Sequence, residues 1–127
     1  MSDYSKVNLL EIDNSSDNKN RESHFARKYL ESRDLGVSLL SYAPNYQSEV
    51  AHSHKVQEEA YVVVKGSGRI LLNKEVIDLK LWDVVRVAPE VSRAFGAGPD
   101  GLDLIAVGGP KPEGGDGEIQ TPSWPKA

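Results

Sequence analysis

From residue 36 onward the chain alternates short apolar stretches with turn residues. "GVSLLSYA" leads into Pro44-Asn45, "EVAHSH" follows, and "EAYVVVK" runs into Gly66-Ser67-Gly68. "RILL" and "EVIDL" flank Asn73-Lys74, "DVVRVA" stops at Pro89, and "LDLIAVG" closes the series after Gly98-Pro99-Asp100-Gly101. Short runs of this kind, bounded by Gly, Pro, Asn and Asp, predict antiparallel strands and an all-β sandwich or barrel. Gly66-Ser67-Gly68 reads as a tight hairpin turn, and Gly98 to Gly101 as another turn.

The flanks read differently. "VNLLEI", residues 7 to 12, predicts an added strand, residues 13 to 20 a polar loop, and only "NRESHFARKYLES", residues 20 to 32, has room for a helical turn or two. From residue 108, "GGPKPEGGDGEIQTPSWPKA" is rich in Gly and Pro, which predicts an extended tail without a central strand. Trp124 is the tail's one large apolar group, and docking by that ring is the use it suggests. The expectation is one domain over residues 1 to 127, with a barrel core at 36 to 108, an N-terminal extension at 1 to 35 and a tail at 109 to 127.

Composition narrows the chemistry. A chain of 127 residues supports one core, and its 39% hydrophobic and 27% charged residues suit a globular domain. No apolar run approaches the ~20 residues that span a bilayer, so no membrane partner is expected. The polar start has neither a basic n-region nor an apolar h-region, which points to the cytoplasm. With no cysteine there is no disulfide, zinc-thiolate site or Cys nucleophile, and any metal must use N and O ligands. A net charge of -4, with no basic run longer than Arg27-Lys28, argues against nucleic acid. Small molecules or other proteins are the expected partners, and no organic cofactor is indicated.

Two of the three histidines stand at His52 and His54. On a strand, residues i and i+2 share a face, so both imidazoles point to one side with Cα atoms about 6 to 7 Å apart. A carboxylate from the next strand would complete a set of two nitrogens and one oxygen, suited to Fe, Mn, Ni, Cu or Zn. Glu58 and Glu59 are the candidates. Periodicity does not choose between them, because Glu58 shares parity with Ala60 and Val62, and Glu59 with Tyr61 and Val63. Gln57 and Tyr61 flank the group as pocket-lining candidates. His24 reads as a surface or strand-edge residue, and with so few histidines a Ser-His-Asp arrangement has no support.

The spacing His52-x-His54, four residues, Glu59, six residues, Gly66 resembles the first motif of the cupin superfamily, H-x-H, three or four residues, E, six residues, G. The resemblance covers residues 36 to 108 and selects Glu59. It implies a double-stranded β-helix, or jelly-roll barrel, with a metal site inside. The second cupin motif survives only in outline in "WDVVRVAPEVSRAF". Trp82, Ala88, Glu90, Arg93 and Ala97 stand where the family has Gly, Pro, Gly, His and Asn. The family's fourth ligand is therefore missing, since Arg93 stands at its position and a guanidinium coordinates no cation.

Two arrangements follow. In one, His52, His54 and Glu59 hold the metal and Arg93 clamps a small anionic substrate, as in a metal-dependent cupin oxygenase or isomerase. In the other, Arg93 pairs with Glu59 and the barrel is a metal-free binding or sensing module. A third course for Arg93 is to turn outward. Cupins often pair, which implies a homodimer.

Overall fold

The computed structural model describes residues 3 to 126. The order is β1 (Arg21–Phe25), a single helical turn α1 (Arg27–Leu30), β2 (Gly36–Tyr42), β3 (Ala51–His54), β4 (Glu59–Leu72), β5 (Glu75–Leu79), β6 (Val84–Val87), β7 (Arg93–Gly108) and β8 (Gly117–Gln120). All pairings are antiparallel, in one curled sheet. No helix among the described residues is long and apolar enough to cross a membrane.

The two long strands make the sheet a jelly-roll barrel. The first half of β4 lies between β6 and the second half of β7, which continues to β2 and β1. The second half of β4 lies between β5 and the first half of β7, which continues to β3 and β8. Both walls therefore share β4 and β7. The change of wall falls at the glycine steps that read as turns. Gly66 (φ 73°) and Gly101 (φ 83°) take the left-handed conformation inside continuous strands, and the register of β4 against β7 slips between Gly66 and Gly68. A side chain at Gly66 has no room, since its Cβ would lie 2.1 Å from the Gly101 carbonyl oxygen. These are corners of bent strands, not hairpins.

Period-two alternation puts Tyr61, Val63, Leu102, Leu104 and Ala106 inside, where they pack with Ile70 and Phe95 from the other wall. Phe95 meets Tyr61 edge-on at 4.9 Å between ring centroids and Tyr42 at 5.8 Å. A cavity of about 1020 Å³ adjoins this core at Tyr42, Tyr61 and Ala106.

The flanks depart from the sequence reading. Residues 7 to 12 form no strand: Asn8 Oδ1 accepts the Leu10 N–H at 2.9 Å and its carbonyl the Glu11 N–H at 3.0 Å, turning the chain before it can pair. Within residues 20 to 32, β1 takes most of the segment and α1 is one turn, closed by Glu31 at φ 54°. The sheet runs past residues 36 to 108 on both sides, through β1 and β8. The tail supplies β8 at the sheet's edge, beside β3. Trp124 docks: its Nε1–H donates to the Ser48 carbonyl at 2.9 Å, its ring packs on Ala51, Leu71 and Ala94, and the Arg69 guanidinium lies 5.2 Å from the ring centroid.

Candidate metal centre

Strand β3 turns Ala51 and Ser53 to one face and His52 and His54 to the other, toward the cavity. The two imidazoles meet edge-on with centroids 5.1 Å apart. Glu59 opens β4 on the same interior face as Tyr61 and Val63, while Glu58 points out and pairs with Arg86 at 2.9 Å. One oxygen, Glu59 Oε1, collects the neighbourhood. His54 Nε2 is 3.1 Å from it and His52 Nε2 3.4 Å, the Tyr61 hydroxyl donates at 2.5 Å, and Arg93 Nη1 donates at 2.8 Å.

Arg93 is fully buried. A buried guanidinium needs every donor directed. Nε donates to the Val91 carbonyl at 3.1 Å, and Nη2 lies within reach of the carbonyls of Ala88 (2.8 Å), Pro89 (3.1 Å) and Val91 (2.8 Å). The Pro89 carbonyl also accepts the His54 N–H at 2.7 Å, so the 88–91 loop ties Arg93 to β3. The side chain does not turn outward. Nor is it part of the cavity wall, so the group standing at the family's fourth-ligand position is a brace on Glu59.

The sequence reading missed Asp116, in the tail just before β8. Its Oδ1 is 3.0 Å from His54 Nδ1, and its Oδ2 accepts the backbone N–H groups of Val56 (2.7 Å) and Gln57 (2.8 Å). Burial pushes the Asp116 carboxyl up, but the Gln57 N–H, the His54 ring and the Val56 N–H outweigh it and hold the group below the usual carboxylate range. A carboxylate has no proton to give, so His54 Nδ1 carries one and donates it. His54 Nε2 faces Glu59 Oε1 across 3.1 Å.

Burial likewise raises Glu59, and bonds from His52 and Tyr61 with the charges of His54 and His52 bring it down to about 2. Tyr61, lifted well above its ordinary range by burial and then by Glu59, stays a phenol and a donor. Gln57 lines the cavity and donates from Nε2 to the Gly109 carbonyl at 3.1 Å. His24 lies outside this group. It is buried on the far face of β1, between the Ile12 carbonyl (3.1 Å) and Glu22 Oε1 (3.0 Å).

His52, His54 and Glu59 each offer a ligand atom within 4.8 Å of the other two. Ligands bonded to one ion at about 2.1 Å lie roughly 3 to 4 Å apart, so small inward shifts suffice. Two imidazole nitrogens with one carboxylate oxygen suit a first-row divalent ion, and Asp116 on the outer nitrogen of His54 is the support such a ligand takes. Glu59 Oε2 makes no hydrogen bond among the described residues and remains open to a cation beside Arg93. The residues fit a metal through three protein ligands.

No protein-family model and no curated protein matches the chain. Solved structures do match. A cupin protein from Bacteroides fragilis superposes with a TM-score of 0.71 at 24% identity, over 87% of this chain and 86% of that one. KdgF from Halomonas sp. gives 0.70 at 18% identity, over 87% and 98%. A variant of Bacillus subtilis oxalate decarboxylase gives 0.74 at 17% identity over 91% of this chain, which spans only 31% of that longer protein. The likeness at these identities is one of architecture, and it agrees with the two walls sharing β4 and β7. The chain has the fold of these cupin proteins.

Proposed function

We propose that this chain holds a divalent transition ion, Fe, Mn, Ni, Cu or Zn, through His52, His54 and Glu59, and acts on a small anionic organic molecule in the adjoining cavity. The observation that carries the reading is the Asp116–His54 bond, because it fixes the protonated nitrogen outward and turns Nε2 toward Glu59. When bound, such an ion supplies Lewis-acid or redox chemistry to a molecule beside it. The chain's own residues do the rest. Arg93 holds Glu59 in place, Tyr61 donates to the same carboxylate, and Gln57 offers an amide to the cavity. An anionic substrate class is supported by the oxalate decarboxylase among the similar structures, which is named for a small organic acid.

The Arg93–Glu59 pair favours a second reading, in which the guanidinium stands in for the ion and the barrel captures its ligand without chemistry. Metal analysis after reconstitution separates the two. The enzyme reading expects close to one equivalent per chain, lost in His52→Ala and in His54→Ala while circular dichroism stays unchanged. Wild-type protein that takes up no metal leaves the binding module.

A further inference from the structure

We propose that Arg27 is the residue that recognises the anionic group of the ligand. The assignment rests on the cavity being the substrate site, as above, and replaces Arg93, whose guanidinium does not reach the cavity. Gly36, Gly108 and Glu59 lie side by side on one ladder row through β2, β7 and β4. Two strand spacings therefore separate Gly36 from Glu59, about 10 Å. The Arg27 guanidinium lies over Gly36, where a Cβ would come 2.5 Å from Nη2, and the Gln57 amide lies over Gly108, where a Cβ would come 2.5 Å from Nε2. Both donate to the same acceptor, the Gly109 carbonyl, Arg27 Nη2 at 2.9 Å and Gln57 Nε2 at 3.1 Å. Two side-chainless positions thus make a shelf on which these groups are held beside Glu59.

The Arg27 Nε and Nη1 groups make no hydrogen bond or ion pair among the described residues, and the side chain is half-buried in the cavity wall. The acids of that wall do not neutralise it. Glu59 is paired with Arg93, Asp116 is bonded to His54, and Asp13 and Glu31 are exposed. A fixed planar fork of unpaired donors in a concave site matches an oxyanion, the carboxylate or phosphate of a small organic acid. Its other end would then point along the row toward Glu59 and the histidines.

Calorimetric titration of reconstituted protein with malonate and with methyl phosphate tests this, with metal content measured on the same samples. Wild type should bind at least one probe, and the tighter one names the oxyanion. Arg27→Gln should bind it about 10- to 100-fold more weakly, the loss expected for a charged hydrogen bond. Arg27→Lys should fall between, and Arg33→Gln, on an exposed arginine paired with Asp34, should stay within about twofold. Unchanged affinity in Arg27→Gln, an equal loss in Arg33→Gln, or no binding of either probe by wild type overturns the assignment. A wild type without metal overturns the enzyme reading instead, and the same titrations on that protein still decide the role of Arg27.

Discussion

Arg93 stands directly across from His52 in the β3–β7 ladder, and its guanidinium donates to Glu59 Oε1 at 2.8 Å. A permanent cation thus occupies the flank of a carboxylate that a metal would also use. Charge balance around Glu59 governs the predictions below.

Arg93→His removes the permanent charge and offers an imidazole. Without metal, the variant should lose roughly 3 to 5 kcal/mol of stability, since Glu59 keeps its burial and loses its counter-charge. Added zinc should recover much of that loss and bind at least about tenfold more tightly than to wild type. Urea denaturation with and without zinc checks both parts, and a variant no less stable in the absence of metal contradicts the argument.

Asp116→Asn leaves the backbone contacts to Val56 and Gln57 largely available but weakens the hold on His54 Nδ1. Metal affinity should drop about 10- to 100-fold with the fold retained. Competition against a chromophoric chelator measures it.

Acid should destabilise the protein through Glu59. Its folded pKa, about 2, lies below the ordinary 4.5, so its stabilising contribution is present above pH 4.5 and is lost as pH falls toward 2. The contribution at neutral pH is on the order of 3 kcal/mol. Asp116 shifts the same way and adds to the slope. Glu59→Gln should be less stable than wild type at pH 7 yet lose less between pH 5 and pH 3, as read by urea midpoints at each pH.

Trp124→Ala removes one hydrogen bond and the packing over Ala51, Leu71 and Ala94. A loss of roughly 1 to 3 kcal/mol is expected. Hydrogen exchange at β8 should quicken along with it, and protection equal to wild type would show that β8 holds without the ring.

Strand positions in the barrel were legible because each buries one face and alternation reports that directly. The corners were not. Gly66 and Gly101 carry the composition of a turn, and only the partner strand shows that the chain passes straight through them. His52, His54 and Glu59 were legible through spacing, since all three lie close together in sequence, on the consecutive but unpaired strands β3 and β4. Arg93 was visible as a position but not as a direction, because a long cationic side chain can point either way until its carbonyl acceptors are known. Asp116 and Arg27 had no local signal. Each reaches the site through contacts more than 50 residues away in the chain, from segments without apolar alternation.

The pairing of β8 with β3 bears on how the protein is made. Ribosomes deliver β3 and β4 long before residues 116 to 120, so during synthesis the histidine strand waits with an open edge and with His54 Nδ1 unanchored. The supports of the proposed ion therefore come together only after the nascent chain has released β8, which would make metal capture a late event in maturation.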